Sequence, residues 1–322
     1  MKRRCFLKVC AVSMAAAPVV ARAQDRIIRI VVPFAPGGSG DLIPRIVAPA
    51  MSERLGMTVI VENRAGAGGV IGATYVARAP ADGLTLGVAT VSTHAIQPAV
   101  LAKPPYNPLK DFTPISNLAR VPNVISINPG LSAQDMAEFI VLAKQRGGDI
   151  TYGSPGVGSL GHMMGELFAQ ATGAPMRHIP YRGAGPALQD AIAGHVDVLC
   201  DNLPASLPHI QGKRLRALGV AWPGRVEQLP DVPTFAQVGV QALNDPAWFG
   251  LVAPAGTPAA FVQRVSEAAA AALKNPEVAS RIRQLGAVPQ GGQPEAFAAD
   301  IQSELDKWRR VANAGNISLE AN

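Results

Sequence analysis

The sequence predicts an α/β protein of two lobes joined by two connecting strands. Three observations carry this. An apolar strand, a glycine turn and an amphipathic helix recur in order along the chain. The strand segments are unbroken apolar runs rather than alternating ones, as expected of a mostly parallel sheet covered on both faces. Two strand-like segments, near 123–130 and 247–254, follow the two βα sets and predict that the chain crosses between lobes twice.

The first 23 residues stand apart from this pattern. Lys2, Arg3, Arg4 and Lys8 precede an apolar stretch from Val9 to Val20, and Ala21-Arg22-Ala23 offers a small-x-small cleavage site. This is an export signal, too short to span a membrane. Its start also resembles a twin-arginine signal, so the Sec and twin-arginine routes both stay open. The full sequence carries 29 basic and 23 acidic residues; without the five basic residues of the leader its balance falls from +6 to +1. That removes the basis for a nucleic-acid or membrane-surface reading. Cys5 and Cys10 leave with the leader, and Cys200 alone reads as a packing residue without a disulfide partner.

From Gln24 the elements follow in order. Ile27 to Val32 is a strand, and Pro33 to Asp41 a proline–glycine turn with Asp41 capping the helix or ordering the turn. The helix repeats Leu42, Ile43, Ile46, Val47, Ala50, Met51 and Leu55 at helical spacing, with Pro44 in its first turn. Thr58 to Glu62 is a strand, 63–69 a second glycine turn, Val70 to Ala79 a helix and Leu84 to Thr90 a third strand. A polar segment, 90–94, and a proline-rich one, 103–108, interrupt the rhythm before the strand Val124 to Asn128.

The second set opens with a helix capped by Ser132 and ended by Gly147-Gly148. Strand Asp149–Gly153, turn 154–159 and helix Leu160–Ala171 repeat the opening unit. Strand Met176–Tyr181, helix Pro186–Ala193, strand Val196–Cys200, helix Pro204–Gln211 and strand Leu215–Trp222 complete the set. Strand Ala247–Pro254 then leads to three helices beginning at Thr257-Pro258, Pro276 and Pro294. This order places residues 24–127 and 249–322 in one lobe and 128–248 in the other.

A strand, a glycine turn and a helix start leave backbone N–H groups unpaired beside the positive end of the helix dipole, which suits an anion. Turns of this kind at 36–41, 65–69 and 153–159 point to a cleft that holds a small anionic ligand. Other chemistries find less support. Gly156-x-Gly158-x-x-Gly161 spells a dinucleotide motif, yet no acidic residue ends a strand about 20 residues on. The five histidines show no metal-ligand spacing, so neither metal nor cofactor is expected. An exported serine hydrolase using Ser154 or Ser159 with His162 is the enzymatic alternative, although no G-x-S-x-G is present.

Several stretches resemble one family. They are Val-Pro-Phe-x-Pro-Gly-Gly-x-x-Asp (32–41), Val-Glu-Asn-Arg-x-Gly-Ala-Gly-Gly (61–69) and Pro-x-Asp-Gly-x-Thr-Leu (80–86). Thr-Tyr-Gly-Ser-x-Gly-x-Gly-Ser (151–159), His-Ile-Pro-Tyr-Arg-Gly-x-Gly-Pro-Ala-Leu (178–188), Asp-Asn-Leu-Pro-Ala-Ser (201–206) and Trp-Phe-Gly-Leu-Val-Ala-Pro-Ala-Gly-Thr-Pro (248–258) follow. In order, and over nearly the whole mature chain, they resemble the Bug family, the solute receptors of tripartite tricarboxylate transporters. The resemblance implies a type II periplasmic binding-protein fold, a non-enzymatic and monomeric receptor that captures a small carboxylate and docks transiently on a membrane permease. A sensor that signals to a membrane kinase is a second outlet for the same capture. Carried over by position, Phe34, Gly38, Ser39, Gly40 and Asp41 line one wall of the cleft, and Ala67 and Gly68 extend it. Thr90, Ser92 and His94 lie near its far end. Ser154, Gly156, Val157, Gly158, Ser159 and His162 line the other wall, with Tyr181 and Asp201 deeper.

Overall fold

The computed structural model describes residues 27–315 and 317–319, so the export signal expected at 1–23 lies outside the described residues. Two sheets, each with its own apolar core, organise the chain. In the first sheet β2 (Val59–Asn63), β1 (Ile28–Val32) and β3 (Thr85–Thr90) run parallel. Next to β3 comes β10 (Ala247–Pro254), antiparallel to it, then β4 (Phe112–Val121) and the two-residue β11 (Val288–Pro289). In the second sheet β7 (Arg177–Pro180), β6 (Thr151–Ser154) and β8 (Val198–Asn202) are parallel. There β5 (Asn123–Ile127) runs antiparallel between β8 and β9 (Arg216–Ala221).

Apart from the two-residue edge strand β11, the antiparallel strands have a simple origin. Each is where the chain arrives from the other lobe, entering its sheet from the end at which the parallel strands finish. A strand entering there can only run against its neighbours, so β5 and β10 depart from the expected parallel rule for the same reason. The crossovers fall at Pro122, between β4 and β5, and at 244–246, just before β10. The expected boundary at 127/128 is therefore corrected: β5 pairs wholly within the second sheet, and all eight residues of β10, from Ala247 on, pair in the first. Asn123 Nδ2 donates to the carbonyl of Asp245 at 2.7 Å, tying one crossover to the other. Lys307, on the last helix, pairs with the Asp245 carboxylate.

Helices cover both sheets. Around the first lie α1 (Ser39–Leu55), α2 (Val70–Ala77), α8 (Ala259–Lys274), α9 (Pro276–Gln284) and α10 (Pro294–Gly315). A π-helical turn, Ser92–Ile96, and the short α3 (Gln97–Val100) follow β3, the turn taking up part of the polar segment. Around the second sheet lie α4 (Met136–Gln145), α5 (Leu160–Thr172), α6 (Ala184–Ala193) and α7 (Leu203–Gln211). The N-cap of α4 is Asp135, whose carboxylate accepts from the Glu138 N–H, not Ser132. Pro44 lies beyond the first turn of α1, because that helix starts at Ser39. Burying β1 on both faces and β10 along its full length fixes the first lobe as a rigid base for the turns that follow its strands.

Candidate functional site

The carboxyl ends of the parallel strands of both sheets face one cleft, as in other open α/β sheets. Four helices begin there: α1, α5, α6 and α7. Their first residues or the residues just before them, Gly38 to Asp41, Leu160 and Gly161, Ala184, and Asp201 and Asn202, line one chamber with Phe34, Thr90, Ser92, Trp248 and Phe249. Its free volume is about 30 Å³, which makes the cleft closed at this point. A wider second chamber, about 240 Å³, is lined by Ala67, Gly68, Gln97, Gly156, Val157, Tyr181 and Arg182, among others. The chambers lie side by side. Phe34 lines the first, and its ring comes within 3.0 Å of where a Cβ on Gly69 would stand, next to Gly68 in the second.

The first turn is built to leave donors free. Gly37 adopts φ +88°, a left-handed conformation that costs glycine little. Its N–H donates to Asp41 Oδ2 at 3.1 Å, and Asp41 Oδ1 accepts from Arg45 Nε and Asn63 Nδ2, both at 2.8 Å. Asp41 therefore orders the turn rather than capping the helix; the N-cap is Gly38, which has no side chain to offer. The N–H groups of Gly38, Ser39 and Gly40 donate to no protein acceptor among the described residues. Three neighbouring donors at the positive end of a 17-residue helix thus face the chamber.

The second turn spends most of its donors internally, only the Val157 and Gly161 N–H groups donating to no protein acceptor among the described residues. Gly156 N–H donates to Ser154 Oγ at 3.2 Å, Gly158 N–H to His162 Nδ1 at 3.1 Å and Ser159 N–H to the Gly156 carbonyl at 3.1 Å. Ser159 Oγ caps α5 through the His162 N–H. Leu160 N–H is satisfied from the opposite lobe, by Ser92 Oγ at 3.0 Å. Behind the turn, Ser154 Oγ and His178 Nε2 lie 2.6 Å apart and the His178 ring stacks on both His162 and Tyr152. Burial, with His162 adding to it, lowers the pKa of His178 to about 3, and burial likewise lowers that of His162. With His162 Nδ1 accepting from Gly158, the pairing of His162 with Ser154 or Ser159 that a hydrolase needs does not form.

Serines expected to face a ligand instead bridge the lobes. Ser39 Oγ donates to the Asn202 carbonyl and accepts from the Ala205 N–H, each at 3.2 Å. Ala35 N–H reaches the Arg182 carbonyl at 3.1 Å, and Gln97 Nε2 the Val157 carbonyl at 2.8 Å. Backbone touches backbone along this seam. A Cβ on Gly37 would stand 3.7 Å from Gly185 Cα, one on Gly38 3.0 Å from Ala184 Cβ, and one on Gly68 would overlap the Val157 carbonyl.

The structure therefore distributes the expected residues unevenly. Phe34, Gly38, Ser39, Gly40, Asp41, Thr90, Ser92 and Asp201 line the first chamber, and Ala67, Gly68, Gly156, Val157 and Tyr181 the second. The Tyr181 hydroxyl is committed to Asp190 Oδ2 at 2.6 Å. Ser154, Gly158, Ser159 and His162 line neither chamber and form the support of the second turn. His94 sits in the first lobe's core, its ring 4.6 Å from that of Phe112 and its Nδ1 2.9 Å from Thr93 Oγ1; burial lowers its pKa to about 3. Sequence reading missed Gln97, Asn202, Trp248 and Phe249. The last three stand in the motifs quoted above, whereas Gln97 carries no local signal. Trp248 is 4% exposed and its indole Nε1 has no acceptor.

No Lys, Arg or His lines the first chamber among the described residues. Two α/β lobes, joined by two crossovers and closing on a chamber ringed by helix N-termini, define a solute-binding protein of the periplasmic type. The chain belongs to the tripartite tricarboxylate transporter family of receptors, whose model matches residues 43–317. It is 36% identical over 307 residues to protein BugT of Bordetella pertussis, covering 95% of this chain and 94% of that one. Its fold is similar to that of R. palustris Rpa4515 with adipate (TM-score 0.87, 36% identity, 91% and 98% of the two chains). It is also similar to MatC of Rhodopseudomonas palustris with bound malate (TM-score 0.85, 33% identity, 88% and 98%).

Proposed function

We propose that this receptor captures a small organic carboxylate between its lobes and hands it to a tripartite tricarboxylate-type permease in the membrane. In this reading the chain is exported by the Sec or twin-arginine route, works as a monomer and catalyses no reaction. One observation carries it: the three unpaired N–H groups of Gly38, Ser39 and Gly40, held at a helix N-terminus in a chamber without a cationic side chain. Such donors suit a carboxylate, and the adipate and malate of the two R. palustris proteins agree with that chemistry.

One carboxylate lies against α1, and the rest of the molecule runs past Phe34 toward the second chamber. Three charge-assisted bonds contribute roughly 1.5–3 kcal/mol each before ordering costs. Together they give on the order of 4.5–9 kcal/mol gross, against about 8 kcal/mol for micromolar affinity, so micromolar binding requires further contacts along the rest of the acid. The first chamber is too tight for a diacid as it stands, so the lobes part for entry and close on the bound acid.

A thermal-shift screen of organic acids, followed by calorimetry on those that raise the melting temperature, tests this. At least one di- or tricarboxylate should stabilise the protein, and the shift should vanish on replacing its acids by amides. Stabilisation by none of them, or an ester hydrolysis that disappears in Ser159→Ala, would sink the proposal.

A further inference from the structure

Asp201 is the one acid in the first chamber that the structure leaves without a cation. It sits at the end of β8, is 3% exposed, and lines the chamber opposite the free N–H groups of α1. Ser206 Oγ donates to its Oδ2 at 3.3 Å. The other acid of the chamber, Asp41, differs in every respect: Arg45, Asn63 and the Gly37 N–H all hold it. Titratable groups on the surrounding elements are Tyr152 on β6, Cys200 on β8, His162 and Glu166 on α5, Asp190 on α6 and His209 on α7. Across the chamber stand Asp41 and Arg45 on α1. Among the described residues none of these makes a hydrogen bond or ion pair with the Asp201 carboxyl.

An anionic ligand held by α1 enters a small chamber that already contains this carboxyl group. Two like charges confined at such a site cannot both persist, and one of the pair takes a proton. Both carboxylates lie at a helix N-terminus, the ligand's at α1 and Asp201 at α7, but the ligand meets three free N–H donors whereas Asp201 accepts only from a hydroxyl and a backbone N–H. The proton therefore goes to Asp201.

We propose that Asp201 is protonated whenever the chamber holds a carboxylate, so that capture takes up one proton from solvent and the neutral acid donates a hydrogen bond toward the ligand. This rests on the capture reading above and adds to it a linked proton. Burial already raises the pKa of Asp201 to about 7 in the free protein, with the Asn202 backbone and Ser206 pulling weakly the other way. An anion alongside raises it further. Above neutral pH, capture must then bring in a proton that the free protein lacks; well below it, the proton is already in place.

The test uses the purified protein with malate and adipate as probes, both fully ionised from pH 7 to 9. Affinity should weaken across that range by an order of tenfold per pH unit, approached as pH rises above 7. Calorimetry in buffers of different ionisation enthalpy should report close to one proton taken up at pH 8.5 and close to none at pH 6. Asp201→Asn, neutral at every pH, should bind with an affinity that no longer depends on pH. A pH-independent wild-type affinity, absence of proton uptake at pH 8.5, or the same uptake in Asp201→Asn each overturns the proposal. Should Asp201→Asn fail to fold, wild-type calorimetry alone decides. If no di- or tricarboxylate of the screen, malate and adipate included, stabilises the protein even at pH 6, the capture reading falls instead, and the two failures are distinct.

Discussion

The turn at 33–41 and the turn at 154–162 are built on the same plan: a strand, a glycine-rich bend and a helix N-terminus. They do opposite things with their N–H groups. In the first, the only side chain close enough to accept, Asp41, is drawn away by Arg45 and Asn63 and takes the Gly37 N–H alone. In the second, Ser154, His162 and Ser159 sit inside the bend and accept its donors, and Ser92 of the other lobe accepts one more. One turn waits for an acceptor; the other has most of its donors taken, with only the Val157 and Gly161 N–H groups lacking a protein acceptor among the described residues. A glycine-rich helix start is therefore an anion site only when its own side chains do not reach back into it.

The broadest measurement compares the histidines behind the two turns, His94 in the first lobe and His178 in the second. Both are neutral when folded, with pKa values lowered to about 3, and protonate near 6.5 when unfolded. Below pH 6.5 the unfolded chain binds more protons, so stability is whole above that pH and is lost as pH falls toward 3. Each histidine should contribute a slope of about 1.4 kcal/mol per pH unit between those limits. Denaturant titrations from pH 6.5 to 4.5 should show the fall, and His178→Gln should make the slope shallower by about one histidine's share. The rest comes from His94, His162 and His209, with Asp201 acting in the opposite sense. An unchanged slope in the variant would mean that His178 is not a suppressed imidazole.

Next in size is Gly38→Asp. A carboxylate at the N-cap occupies the free donors and repels an acid, so affinity should fall at least a hundredfold, about 2.7 kcal/mol. The unliganded protein should change little in melting temperature, the gain from an Asp N-cap offsetting the contact of its Cβ with Ala184, 3.0 Å away. If ligand-induced stabilisation survives, the first turn is not where the acid sits.

Asp41→Asn loses the charge that Arg45 and the Gly37 N–H point to. Stability should drop by about 1–3 kcal/mol, and affinity by about tenfold as the turn loosens. Ser159→Ala, the matching change at the second turn, should cost about 1 kcal/mol of stability through the lost cap, with affinity within about threefold of wild type. Calorimetry showing that Ser159→Ala weakens binding as much as Gly38→Asp would erase the distinction between the turns.

How much of this the sequence discloses follows from which interactions are local. Apolar runs and glycine bends mark β1, β3, β10 and both turns, since burial on two faces and positive φ each leave a compositional trace. β4 escapes that reading. Pro114, Ser116 and Asn117 break its pattern, and β-bulges against β10 shift its register twice. Two of its buried donors find acceptors at a distance, Ser116 Oγ in the Gly292 carbonyl and Asn117 Nδ2 in Asp300, while Asn117 Oδ1 has no partner among the described residues. The second turn likewise looks open in sequence, because Ser92 lies 68 residues from the Leu160 N–H it accepts. Glycine spacing reveals where donors arise; only tertiary contact reveals whether they are already taken.

The glycine seam between the lobes carries a last consequence. Gly37 and Gly38 meet Gly185 and Ala184, and Gly68 meets Gly156 and Val157, with no side chain between them. The jaws thus mate like ground-glass surfaces, and a single methyl group added to that joint acts as a shim. Affinity becomes adjustable at seam positions such as Gly37 and Gly185, which line neither chamber, leaving the contacts that choose the acid free to stay as they are.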